Sequence, residues 1–173
     1  MIAAAPTLTA LKYEPVLLEA IDSAVSSAIG MCGVSTHCVG VSTVPPSETG
    51  IITGLIGVHG KVTGFVTVNM AERFATKAVE GLLQDSFTSL SAQVVDGLGE
   101  ITNVIGGGIK AHLASTPWGF THITVPSVIV GKGYAIAYAK GLEFLSVQYV
   151  HNDPEAIRLE DRQMQVSISL LRL

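Results

Sequence analysis

Hydrophobic positions along the chain fall into blocks of two different periods. Leu11, Val16, Leu17, Ile21, Val25 and Ile29 recur near the spacing of one helix face, which predicts a helix over residues 11–30 that Gly30 and Gly33 can stop. Ile51–Val58 and Val62–Met70 are apolar runs of strand length on either side of His59-Gly60-Lys61, a hairpin signal. Residues 71–84 predict a short helix starting after Asn69, and Asp85-Ser86-Phe87-Thr88-Ser89 a break with helix-capping side chains. A long helix is predicted over residues 90–115, stopped by Ser115-Thr116-Pro117-Trp118-Gly119. His122–Val130 and Tyr134–Lys140 predict a second hairpin around Gly131-Lys132-Gly133. Glu143–Val150 and Met164–Leu171 predict two more strands, joined by the polar surface stretch His151–Gln163. Residues 1–10 read as a loose arm and Thr43-Val44-Pro45-Pro46-Ser47 as a loop.

Runs of helices separated from runs of strands argue for an α+β fold, an antiparallel-rich sheet with long helices packed on one face. An internal repeat is also visible. Leu18–Ser26 can be laid on Val95–Asn103, and each of these two helices is expected to lead into an apolar hairpin turning on His-Gly-Lys or Gly-Lys-Gly. In that alignment Ser23 and Ser26 stand where Glu100 and Asn103 stand.

Composition changes the picture in three ways. The chain is 48% apolar and only 14% charged, with a mean hydropathy of +0.49. Yet Gly, Ser, Thr or charges interrupt every apolar run before it reaches membrane-spanning length. The excess apolar character is expected in a two-sided core and in an oligomer interface. The opening Met1-Ile2-Ala3-Ala4-Ala5-Pro6 lacks the basic region and apolar core of a secretory signal, so a cytoplasmic protein is expected. With a net charge of −4 and no Lys/Arg cluster, the chain has no electrostatic footprint for nucleic acid or for an anionic membrane. Cys32 and Cys38 match no zinc or redox spacing and read as buried reduced thiols. His37, His59, His112, His122 and His151 offer no metal-spaced pair on one element and read as surface or loop residues. Trp118, Phe120 and Tyr134 read as core or interface packing.

The long helix carries the chemistry. On a wheel of about 100° per residue starting at Val94, Leu98, Ile101, Ile105 and Ile109 share a narrow arc with Val94. Asp96, Glu100, Asn103, Gly107 and Lys110 run in a line up the opposite face, between about 160° and 240°. Glu100 and Asn103 are three apart and therefore neighbours. Gly97, Gly99, Gly106, Gly107 and Gly108 surround them, and each Gly inside a helix costs roughly 1 kcal/mol relative to Ala. Such a cost points to close approach by another backbone or a bulky partner, or to a local break in the helix.

Asp96-x-x-x-Glu100-x-x-Asn103-x-x-x-Gly107 resembles the signature of the CheX/CheC/FliY chemotaxis phosphatases. Gly99–Leu113 looks most like the CheX branch. Tyr13–Ala20 is similar to that family's first helix, Gly54–Gly64 to its first hairpin, and Pro126–Gly131 to the strand after its catalytic helix. The chain departs from the CheX pattern at Gly106 and Gly108, where Ala and Asn are usual, at Ile109, where Ala is usual, and at Val104, where Met is common.

The resemblance implies a CheC-like fold with an N-terminal arm over 1–12 and a single CheX-like domain over 13–173. It implies removal of the phosphoryl group from phospho-aspartate on a CheY-like response regulator by in-line attack of water. An Asn amide both donates and accepts, so Asn103 can hold that water while staying neutral beside a phosphoryl anion. Glu100 is implied to dock the regulator through a lysine, with Asp96, Gly107 and Lys110 on the partner-binding line. No cofactor of this chain is expected; Mg2+ would belong to the regulator. A homodimer is implied. The competing readings are a non-catalytic binding module for response regulators, and a dimeric scaffold of the same fold.

Overall fold

A computed structural model describes residues 11–45, 50–134 and 136–172. Most of the arm expected over 1–12 and part of the loop expected over 43–47 lie outside the described residues. The elements are α1 (Pro15–Met31), β1 (Thr36–Ser42), β2 (Ile52–Gly60), β3 (Val62–Met70), α2 (Glu72–Leu83), α3 (Ala92–Leu113), β4 (Phe120–Ile123), β5 (Ser127–Val130), β6 (Glu143–His151) and β7 (Gln163–Arg172). A single 3-10 turn, Leu159–Arg162, precedes β7.

The strands form one sheet in the order β1-β6-β7-β3-β2-β4, with β5 also on β2, and every pairing is antiparallel. Direct cross-strand partners share a face. Ile56, Val66, Ile168 and Leu145 are therefore one row, and Val68, Val166 and Val147 the next. All are buried, on the face that α1 and α3 cover. The opposite face carries Thr53, Asn69, Gln165 and Gln148 in one row and Thr67, Ser167 and Ser146 in another. Most of these are buried too. Residues 134 and 138 reach this face: the Tyr134 hydroxyl bonds Thr53, and Tyr138 sits edge-on to Phe144. The expected two-sided apolar core is thus corrected. Both faces are covered at the centre of the sheet, but the helix-facing one is uniformly apolar there, whereas the rear one sets Leu55, Phe65 and Phe144 among its polar residues.

Three readings of the elements also change. β1 is an edge strand that the hydrophobic pattern does not announce, because only Cys38, Val39 and Val41 are apolar and none of its residues is fully buried. The second hairpin does not form. The run His122–Val130 is split by Thr124-Val125-Pro126, both pieces pair with β2, and the described residues of 134–140 are not strand. Proline within a strand run removes a ladder donor, which accounts for the split. The hairpin equivalent to β2–β3 is β6–β7, so no second hairpin turns on Gly-Lys-Gly. The helix cap also moves. Within 85–89 no side chain caps α3; Ser91 does, accepting from the Val94 N–H at 3.3 Å.

The repeat survives in a more specific form. One copy is α1-β1-β2-β3 and the other α3-β4/β5-β6-β7. Each copy's first strand pairs with the other copy's hairpin, β1 on β6 and β4/β5 on β2, while β3 and β7 pair at the centre.

Candidate functional site

α3 is held as one unbroken helix by its buried stripe. Val94, Leu98, Ile101, Ile105, Ile109 and Leu113 are all buried. At roughly 1.5–3 kcal/mol for each large apolar side chain, this burial is on the order of 10 kcal/mol. It outweighs the roughly 5 kcal/mol that five glycines cost a helix. The Ser91 cap contributes about 1 kcal/mol more, and Lys110 and His112 stand in the last turn, where cations complement the helix dipole.

The glycines divide by what surrounds them. A Cβ at Gly97 would come within 2.6 Å of Val79 Cγ1 on α2. One at Gly106 would meet Ile56 Cδ1 at 2.9 Å, and one at Gly108 would meet Ala24 Cβ at 2.9 Å. On Gly99 it would be in ordinary contact with Val128 and Pro126. Gly107 is different: a Cβ there would meet nothing within 4 Å. Most of the glycine cost is thereby assigned to close packing inside the molecule, and the local helix break is not formed.

The exposed face carries the predicted residues. Asp96, Glu100 and Asn103 are exposed, and Gly107 and Lys110 are half-buried on the same line. Residues three apart are neighbours on a helix, so Glu100 and Asn103 stand side by side. Among the described residues neither side chain has a hydrogen bond or ion pair. A rigid helix therefore presents one carboxylate and one amide, both uncommitted, to solvent. Thr102, their neighbour on the inner side, is spent internally. Its hydroxyl donates to Leu98 O at 2.8 Å, and it fills the space that a side chain at Gly54 would need.

A family profile described as chemotaxis phosphatase CheX matches residues 52–149, more than half of the chain. The chain belongs to the CheX chemotaxis phosphatase family. The matched span runs from β2 to β6 and contains α3 whole. Solved structures share the fold. A CheC-like superfamily protein from Shewanella sp. PV-4 superposes with a TM-score of 0.75 at 20% identity, over 91% of this chain and 99% of that one. The chemotaxis protein CheX from Vibrio vulnificus gives 0.70 at 22% identity, over 90% and 96%. The CheX–CheY–BeF3–Mg2+ complex from Borrelia burgdorferi gives 0.68 at 21% identity, over 94% and 99%. No curated protein matches by sequence.

Other predicted residues of this CheX-family chain separate from the site. Trp118 and Phe120 are buried. Cys32 is buried and its thiol is pushed up to about 11 by burial, whereas Cys38, expected buried, is exposed. The histidines are surface residues as expected, His151 half-buried and the others exposed, carried on strands and on α3, and His59 stands directly opposite His122 across β2 and β4. Pairing between elements 63 positions apart is invisible to a spacing rule. A polar recess of about 380 Å3, lined by Asn69, Gln148, Gln165 and Glu160 among others, opens on the sheet face away from α3 and has no part in this line.

One neighbour of the site was not expected. A groove of about 480 Å3 lies between the C-terminal half of α3 and β4, bounded by Gly107, Ala111, Ala114, Phe120 and Ile123, with Lys61 and Lys110. The small residues Ala111 and Ala114 continue the Gly107 stripe and are legible on the helical wheel. The β4 wall is not, because it depends on long-range pairing.

Proposed function

We propose that the chain dephosphorylates phospho-aspartate on a CheY-like response regulator, with Asn103 positioning the attacking water and Glu100 docking the regulator. The observation that carries the reading is the uncommitted Glu100–Asn103 pair on the exposed face of α3. Membership in a family named for phosphatase activity, and a relative's complex with CheY, support the same reading.

The chemistry follows from the side chains. In-line displacement at phosphorus needs a water fixed opposite the leaving carboxylate oxygen, so catalysis is mostly positioning. The Asn103 amide can donate to the water oxygen and accept from its hydrogen. Being neutral, it avoids the repulsion that a carboxylate would suffer beside the phosphoryl oxygens. The water's oxygen bonds to phosphorus, the P–O bond to the regulator's aspartate breaks, and inorganic phosphate leaves. Glu100 is suited to pair with a cation at the rim of the regulator's site, which sets the helix in register. Asp96 extends the same negative end. Mg2+ in this reading belongs to the regulator's own acidic pocket, and no covalent intermediate forms on this chain.

The first copy of the repeat has exposed Ser23 and Ser26 on α1 where α3 has Glu100 and Asn103, so the reading assigns one active helix per chain. It also carries a homodimer and a cytoplasmic setting shared with the regulator. Among the described residues no helix is long and apolar enough to cross a membrane.

The test is the lifetime of the phosphorylated regulator with and without the protein, across the CheY-like domains of the host. The reading predicts that at least one lifetime shortens in proportion to added protein. Tight binding with every lifetime unchanged would make the chain a binding module instead.

A further inference from the structure

We propose that the groove between α3 and β4 is a second anchor for the same regulator, taking an apolar side chain that stands next to an acidic residue on the partner. The inference rests on the phosphatase reading and extends it from the reacting centre to partner choice.

Three observations carry it. The groove continues the Asp96–Glu100–Asn103 line without interruption. Gly107, at its near end, lies about 6 Å along the helix axis from Asn103, and Ala114, at its far end, about 16 Å. A partner seated on Asn103 that extends along α3 toward its C-terminus therefore reaches it. Next, Gly107 has open space where its Cβ would stand, while Gly97, Gly106 and Gly108 are crowded from inside. Nothing among the described residues accounts for the missing side chain at 107, but a partner passing over the helix there would. Last, the charges on this face change sign along the helix. Asp96 and Glu100 occupy the end before Asn103. Beyond Asn103 the described residues that line the groove include Lys110 and Lys61 and no carboxylate. Lys61 Nζ is held at the groove by donating to Thr116 O at 3.1 Å.

The floor is apolar, formed by alanine methyls, Phe120 and Ile123. Burying an aliphatic or aromatic side chain there would contribute to affinity in proportion to the apolar area removed from water. The two lysines favour an acidic neighbour to that side chain, and Glu100 favours a basic residue at the other end. A partner with the opposite order of charges would meet like charge at both ends. The face thus reads the direction in which the regulator lies across α3, a form of selection by repulsion as well as attraction.

The experiment uses the full chain and a phosphorylated regulator that the wild-type protein dephosphorylates. Two variants are compared: Ala111→Trp, which fills the groove from an exposed position, and Lys110→Glu, which reverses its charge. Both should melt within a few degrees of wild type. The inference predicts that each raises KM for the phosphorylated regulator at least tenfold while kcat stays within about twofold. It also predicts that the Lys110→Glu defect shrinks as salt is added. Unchanged KM in both variants, with wild-type turnover intact, would overturn the groove and leave the phosphatase reading standing. A fall in kcat at constant KM would likewise overturn it, because the groove would then act on the chemistry and not on docking. A wild-type protein that accelerates no regulator would overturn both.

Discussion

Gly106 lies against Ile56, close enough that a Cβ on the helix would come within 2.9 Å of the isoleucine Cδ1, while Gly107, the next residue, faces open space. Two adjacent glycines in one helix thus have different causes. This separates the stability of α3 from its use.

Substitutions by alanine should expose the difference. Gly107→Ala adds helix propensity with no clash and should stabilise the fold by about 0.5–1 kcal/mol. Gly106→Ala meets only the far end of a flexible side chain, so its gain and loss should nearly cancel. Gly97→Ala drives into the stiff Val79 and should destabilise by about 1–3 kcal/mol. Urea unfolding of the three variants gives the order directly. A Gly107→Ala protein less stable than Gly97→Ala would contradict the packing account.

Arg73 and Asp153 give a second prediction. Arg73 Nε donates to Asp153 Oδ2 at 2.6 Å, and the Asp153 side chain is nearly buried. The hydrogen bond from Arg73 holds the Asp153 carboxyl down at about 2 against the opposing effect of burial, with the Glu155 backbone N–H helping. The folded-state pKa lies below the unfolded value of roughly 4, so the pair stabilises above that pH and its contribution fades as pH falls toward 2. Asp153→Asn should therefore be less stable than wild type at pH 7. The difference should shrink between about pH 4 and 2, as followed by thermal melting. A gap that stays constant over that range would count against the pair.

The two cysteines should react unequally. Cys38 is exposed on β1, while Cys32 is buried at the end of α1 with its thiol pushed up to about 11. A thiol reagent at pH 8 should label one residue quickly and the second only on unfolding, because the thiolate is the nucleophile. Rapid labelling of both, read by mass spectrometry of peptides, would contradict the burial of Cys32.

Glu100 should act on docking alone. Glu100→Lys is expected to weaken binding to a regulator held in a phosphorylated-like state by about tenfold or more, with a smaller loss at high salt. Equal affinity of variant and wild type, measured by titration calorimetry, would remove the role assigned to it.

The sequence and the structure agree where local pattern decides the outcome. α3 reads from residue 90 to 115 and forms from Ala92 to Leu113. The β2–β3 hairpin, read from two apolar runs around His59-Gly60-Lys61, and the strands β6 and β7 also form where they are expected. β1 escapes because an exposed edge strand has no buried face to leave a mark on its sequence. β4 and β5 read as one strand because only Pro126 records the break, and their common partner β2 lies some 70 positions earlier. The polar rear face of the sheet escapes for a related reason. Thr53, Asn69 and Gln165 look like solvent-facing positions until the chain near Tyr134 and Tyr138 is brought over that face. The Glu100–Asn103 pair was legible because both residues sit within one turn of a single helix. The β4 wall of the groove beside them was not.

The most direct measurement is dephosphorylation of a cognate regulator by the Asn103→Ala protein, with binding followed in parallel. The account predicts that turnover falls to the regulator's own spontaneous rate while affinity stays within a few-fold of wild type. An Asn103→Ala protein that dephosphorylates as fast as wild type would contradict it.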